Sequence, residues 1–294
     1  MRLLELAATR GARILAEGLF FPECPRFKGT EIIYVDGPLV RATSLAGVTR
    51  IVAALPAQLC LGLQITGDDI LVGGALERRI YRIAGDTVSL EQDLSSHSAS
   101  PTNEFVRLPG GSMLVGRMGF NPILGEAPRA ARLLLVTPDG DVRETGPELM
   151  FANGMMLVDG GAILLVMETF AQQIRRLSLS PYGEVLSDTV LPLVNDPSPE
   201  PDGFGLAADG GIWYADMHLG AVVHRGEDGK ADLLLRTGKA HATSCVIFNA
   251  EEQEWIAITA TDHPPAPEFA HLRTGQLIVV PLRALWEAGS ECGS

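Results

Sequence analysis

DGFGLAADGGIWYAD, residues 202–216, is an apolar strand, a Gly-containing turn and a second apolar strand, headed by an acidic side chain. Asp-Gly and Gly-Gly pairs reach the positive backbone angles that tight hairpins need, and the flanking runs favour strand. The same shape recurs along the chain. ECPRFKGTEIIYVDG starts at Glu23, CLGLQITGDDILVGG at Cys60, NEFVRLPGGSMLVGR at Asn103, NGMMLVDGGAILLVM at Asn153 and SCVIFNAEEQEWIAIT at Ser244. After most copies comes a second hairpin, as in RRIYRIAGDTVSL, ARLLLVTPDGDVRE, QQIRRLSLSPYGEVL and AVVHRGEDGKADLLL. Six units of four strands, at roughly 40 to 50 residues each, are what a β-propeller requires. The expectation is therefore an all-β, six-bladed β-propeller.

An ordinary β-sandwich would explain the strand spacing but not a polar residue recurring at one register. Helical periodicity is sparse, and the one short helix expected runs from Leu282 to Ala288. Because a closed ring of repeats uses nearly all of the 294 residues, residues 1–294 are expected to form a single domain.

The chain is 46% hydrophobic and 20% charged, enough apolar material for a large core between stacked sheets. A formal net charge of −13, with no basic cluster to offset it, makes nucleic acid an unsuitable partner. No apolar run approaches the ~20 residues that span a bilayer, so no membrane partner is expected. Met1 to Gly18 lacks a compact signal core, and Cys24, Cys60, Cys245 and Cys292 have neither zinc-finger nor redox spacing. Cytoplasmic residence is the expectation that follows.

In a propeller the first strand of every blade lines a central channel, so residues at equivalent strand starts converge although far apart in sequence. Glu23, Asn153 and Asp202 would then supply two carboxylates and an amide carbonyl. Such an all-oxygen set suits Ca²⁺ or Mg²⁺, and it can also take Zn²⁺ or Mn²⁺. Each residue alone has a plainer explanation, since Asn-Gly and Asp-Gly are common turn pairs, but turn chemistry does not demand matching positions in different repeats. Cys24, Cys60 and Cys245 lie near strand starts, where a thiolate nucleophile competes with simple buried packing. His218 would line the channel mouth as an acid or base, and His241 and His97 lie in loops above it.

The sequence resembles the senescence-marker-protein/gluconolactonase/luciferin-regenerating-enzyme family of six-bladed propellers. PECPRF is similar to the family's E-G-P-x-W segment, ANGM to its P-N-G-L, and EPDGFGLAADGGIWYAD to its P-D-G strand pair. The likeness implies that Glu23, Asn153 and Asp202 hold a divalent metal, Ca²⁺ foremost, with Asp202 also the general base and Asn103 the channel asparagine beside it. Two departures point away from a simple aldonolactone. Pro101-Thr102-Asn103-Glu104-Phe105 stands where the family often has R-F-N-D-G, which removes a substrate-binding Arg, and Asn121 stands at a position that is acidic in sugar-lactone enzymes. Arg117, on the same hairpin, would either replace that cation or make a structural ion pair.

The leading expectation is a metal-dependent hydrolase of a cyclic ester, a lactone, acting on a small-molecule substrate. Asp202 and Asn103 carry the catalysis, and Asn103, Arg117, Asn121 and His218 contact substrate. Two alternatives stay open. One keeps the metal for isomerisation, cyclisation or carbon–carbon bond chemistry; the other is a non-catalytic ligand-binding propeller, with the Pro-rich Asp262 to His271 loop as lid or contact surface.

Overall fold

The computed structural model describes residues 1–193 and 199–287. Two strands, β1 (Arg2–Glu5) and β2 (Arg13–Leu19), precede the blades. The first blade is β3 (Pro22–Lys28), β4 (Glu31–Asp36), β5 (Leu39–Ser44) and β6 (Thr49–Ala54). The second is β7 (Cys60–Thr66), β8 (Asp69–Gly74), β9 (Arg79–Ala84) and β10 (Thr87–Asp93), and the third is β11 (Thr102–Arg107), β12 (Met113–Arg117), β13 (Ala131–Val136) and β14 (Val142–Leu149). The fourth is β15 (Ala152–Val158), β16 (Ile163–Glu168), β17 (Gln173–Leu179) and β18 (Val185–Pro192). The fifth is β19 (Pro201–Leu206), β20 (Ile212–Asp216), β21 (Ala221–Arg225) and β22 (Ala231–Arg236), and the sixth begins with β23 (His241–Ala250), β24 (Gln253–Thr261) and β25 (Gly275–Pro281).

Sequential antiparallel pairing makes these six sheets the blades of a six-bladed β-propeller, as the repeats foretold. The N-terminal segment adds what the repeats did not reveal. β2 pairs antiparallel with β25 as the fourth strand of the sixth blade, and β1 pairs parallel with β22 as a fifth strand on the fifth. The expected helix is present as α1 (Leu282–Glu287); Ala288, its expected last residue, and Cys292 lie outside the described residues.

The chain divides into two compact units, Met1–Asp36 with Arg41–Ile51 and Val194–Ser294, and Gly37–Val40 with Val52–Leu193. Within the first, β23 lies between β19 and β3, and apolar side chains of neighbouring blades fill the space between sheets. Trp213, Val222, Leu233 and Leu235 of the fifth blade meet Ile256, Ile258 and Ile278 of the sixth, closed off by Leu282 and Leu285 of α1. Within the second unit, β11 lies between β7 and β15, with Leu114, Leu133 and Leu135 packed against Leu164, Val166 and Leu177. Alternating strand residues thus reach two inter-blade layers, the packing of stacked sheets.

Three blades end their second strand on a buried acid that holds the approach to the first strand. Asp36 Oδ1 accepts from Phe20 N (2.7 Å) and Phe21 N (3.0 Å), and its other oxygen accepts from Arg41 Nε at 2.8 Å. Glu168 accepts from Met150 N (2.8 Å), Gln173 Nε2 (2.7 Å) and Arg175 Nε (2.8 Å). Asp216 accepts from Leu219 N (2.9 Å) and Glu200 N (3.2 Å), but at the site matching Arg175, across from Tyr214, the fifth blade has Val223. Burial accordingly pushes the Asp216 carboxyl up to about 6, only partly opposed by those backbone donors. A folded pKa above the unfolded value of 3.8 means that this contribution is full below pH 3.8 and is lost as pH rises through about 6. A rise of that size corresponds to about 3 kcal/mol. Thermal unfolding of the native protein and of Asp216→Asn, compared between pH 4 and 7, should show this component of the slope in the native protein only; equal slopes would disprove it.

Candidate functional site

In each of the six blades the pairing of the first two strands slips at one place, near the start of the first strand. Pro22 faces Asp36 and Glu23 faces Val35 before the register moves to Arg26 and Ile33. Cys60–Gly74, Thr102–Arg117, Ala152–Glu168 and Pro201–Asp216 are followed by similar slips, and in the sixth blade the slip follows Ala242–Ala260. Such bulges bend a strand and re-aim a side chain, and they recur beside active sites.

Glu23, Asn103, Asn153 and Asp202 each directly follow the first paired residue of this pattern, so the structure puts all four at one register position. Their exposure is nearly equal, at 5%, 5%, 6% and 6%. The copies expected to begin at Cys60 and Ser244 are out of step: the matching residues are Leu61, one place after Cys60, and Ala242, two places before Ser244. Only four inner strands therefore carry a polar side chain here.

In the first unit, Glu23 Oε2 accepts from the backbone N of Cys24 at 2.9 Å, with Cys24 Sγ 3.6 Å away. Cys24 has a left-handed backbone (φ 50°), uncommon for a residue with a side chain. Next to Asp202, Gly203 is obligatory for packing: a Cβ there would lie 1.9 Å from Ser244 Oγ. Ser244 is fully buried and its Oγ has no partner. Thr243 Oγ1 donates to Pro22 O at 2.6 Å, tying β23 to the strand that carries Glu23. Burial pushes the Cys245 thiol far up, and the Asp202 charge adds to this while Arg26 opposes it.

In the second unit, Asn153 Nδ2 donates to Thr169 Oγ1 at 3.1 Å, which leaves Oδ1 as the amide's ligand atom. Glu104, beside Asn103 in the bulge and 3% exposed, accepts from Met155 N at 3.3 Å. Arg117 Nε donates to Arg132 O at 2.7 Å and its guanidinium pairs with Glu144 at 2.5 Å. Asn121 caps the turn Pro122–Leu124 by accepting from Ile123 N at 3.1 Å.

His218 and His97 are exposed, and the backbone of His218 donates to Asp216. His241 Nδ1 lies 2.9 Å from Met217 O. The three described cysteines are buried and free of disulfides. Cys60 is pushed up to about 12 by burial, with the Glu77 charge adding to it, so neither it nor Cys245 is a thiolate at neutral pH. In the Asp262 to His271 loop, the His263 ring stacks on Phe20 (5.4 Å) and Phe269 (5.8 Å), and its Nε2 is buried without a partner.

Among the described residues no three His, Cys, Asp or Glu side chains group closely enough to hold a metal ion. The donors fit one. Two carboxylates and the oriented Asn153 carbonyl are hard oxygen ligands of the type that Ca²⁺ and Mg²⁺ select.

Sequence reasoning passed over Glu104 and the buried hydroxyl of Ser244, and it missed the buried acids Asp36, Glu168 and Asp216. A signal for the acids was present, because the second strands read YVD, VME and YAD in three copies.

Comparison with known proteins agrees with this architecture. No curated protein sequence matches the chain. Among solved structures, a calcium-binding regucalcin from Agrobacterium tumefaciens superposes with a TM-score of 0.74 at 17% identity, covering 95% of each chain. A luciferin-regenerating enzyme gives 0.73 at 13% identity, covering 92% of this chain and 95% of that one. A gluconolactonase from Xanthomonas campestris gives 0.69 at 19%, covering 94% and 92%. The family model described as SMP-30/Gluconolactonase/LRE-like region matches residues 21–262, from just before the Glu23 strand to the end of the last hairpin. The chain belongs to the SMP-30/gluconolactonase/LRE-like family.

Proposed function

We propose that this protein is a metal-dependent hydrolase of a cyclic ester, with Glu23, Asn153 and Asp202 as ligands of one divalent cation and Asp202 as general base. The observation that carries the reading is the shared bulge position of four buried polar residues at the start of four first strands. Membership of a family that includes gluconolactonases supports it. Ca²⁺ is the first choice of cation, with Mg²⁺, Mn²⁺ and Zn²⁺ as alternatives. Bound there, it would polarise an ester carbonyl and lower the pKa of a water molecule.

The chain's own residues account for the rest of the reaction. Asp202 takes a proton from the attacking water while the water oxygen bonds to the carbonyl carbon. The ring C–O bond then breaks, and the departing oxygen recovers that proton from Asp202 to give a hydroxy acid. Asn103 donates its amide N–H to the oxyanion as charge develops, a contribution typically worth ~3 kcal/mol. Asn121 and His218 stay in the proposed substrate-contacting set. Arg117 stays in it too, its guanidinium held by Glu144 and the Arg132 carbonyl. The six blades act as one domain on a small-molecule substrate, and the net charge of −13 disfavours nucleic acid.

Elemental analysis of the purified protein tests the reading together with a lactone panel run before and after chelation. The expected result is about one divalent ion per chain, and hydrolysis that disappears on chelation and returns with Ca²⁺. Undiminished hydrolysis by metal-free protein would overturn it.

A further inference from the structure

Beside Asn153 the fourth blade and the loop from the third build a cluster of three phenylalanines. The Phe120 ring lies 5.6 Å from that of Phe151 and 5.2 Å from that of Phe170, and Phe151 and Phe170 are 5.2 Å apart. Phe120 and Phe151 are buried, whereas Phe170 is 44% exposed. The two inner rings therefore form a buried base, Phe120 edge-on to Phe170 at 79° and Phe151 tilted to it at 58°, under a third ring that is partly open to solvent.

Three features tie this face to the proposed site. Phe151 immediately precedes Ala152 and Asn153, and it has a left-handed backbone (φ 66°). A bulky side chain in that region is strained and persists only where its surroundings impose it. Phe170 follows Thr169, whose hydroxyl accepts from Asn153 Nδ2, and Thr169 N donates to Phe151 O at 3.2 Å. The backbone that orients the Asn153 amide thus also presents the Phe170 ring. Part of the neighbouring polarity is engaged as well, since the Asn121 carbonyl, next to Phe120, accepts from Ile123 N.

From this we infer that the substrate carries an apolar planar group, an aryl ring fused to or borne on the cyclic ester, which docks on Phe170 over the Phe120–Phe151 base. The inference rests on the hydrolase reading for its ester and on the cluster alone for its aromatic part. Offset or edge contact between aromatic rings is favourable beyond the area it buries. A polyhydroxylated sugar lactone would instead lose hydrogen bonds to water against this wall.

The test uses the full chain with two lactones, dihydrocoumarin and γ-butyrolactone, and with chroman, a ring ether that has no ester to cleave. The native protein should favour dihydrocoumarin in kcat/KM, and Phe170→Ala should reduce that preference about tenfold, mostly through KM. Phe170→Leu, which keeps an apolar face, should recover part of it. Chroman binding, followed by ligand-observed NMR, should weaken about tenfold in Phe170→Ala. If neither lactone is hydrolysed, the hydrolase reading fails while chroman still decides the aromatic site. Absence of chroman binding to the native protein, or equal binding by Phe170→Ala, overturns the inference.

Discussion

Asp202→Asn should lower kcat for the best lactone substrate by roughly 10²–10⁴-fold, the range typical for loss of a positioned general base. Asparagine is nearly isosteric and, like aspartate, tolerates the turn-like backbone before glycine, so the bulge at Asp202 and Gly203 should survive. Gly203 still has to pass against Ser244, where no Cβ fits, and that contact is untouched by the change. The variant should therefore unfold at the native temperature while retaining less metal, because an amide oxygen is a weaker ligand than a carboxylate. Circular dichroism, unfolding temperature, metal content and kcat measured on one preparation separate the roles. Native kcat in a correctly folded variant would remove Asp202 from the chemistry.

Glu168→Ala should be the most damaging single change to stability. The carboxylate is 1% exposed and accepts from Met150 N, Gln173 Nε2 and Arg175 Nε. Its removal leaves those donors short of an acceptor and leaves Arg175 with Asp188 as its remaining ion partner. Breaking a buried ion pair from one side typically costs 3–5 kcal/mol. At roughly 2–4 °C per kcal/mol for a chain of more than 150 residues, unfolding should occur about 6–20 °C lower. Arg175→Ala is the informative companion, since it strips the charge partner but leaves the backbone acceptor for Met150. A loss as large as that of Glu168→Ala would locate the effect in the ion pair rather than in the anchored backbone.

The hairpins were legible because their signals are local. Gly140 in LLLVTPDGDVRE and Gly210 in LAADGGIWY both adopt positive φ at tight turns, where the sequence puts them between strand-forming runs. The polar positions at Glu23, Asn103, Asn153 and Asp202 were legible because four repeats spell them at corresponding points. Cys60 and Ser244 were misaligned for a physical reason: the slip depends on which partner residue each strand finds, and strand composition does not encode it. The ion-pair partner of Arg117 was not legible, because Glu144 lies 27 residues away on another strand. The Phe120–Phe151–Phe170 cluster drew its members from three separate turns, none of which carries a motif of its own.

The pairing of β2 with β25 sets a temporal order on the birth of the molecule. Arg13 finds its partner at Val279, so the sixth sheet needs residues from near both extremities of the sequence. A ribosome has to translate the 266 residues (279 minus 13) between these partners before that sheet can be completed. Nascent hairpins can form as they emerge, but the β23–β24 hairpin stays without its outer neighbours, and β2 waits unpaired until β25 emerges. Joining such remote segments is entropically demanding and slows folding. The final latch is therefore a late event, and chains released prematurely by a stop codon before β25 would expose a bare sheet edge that invites aggregation.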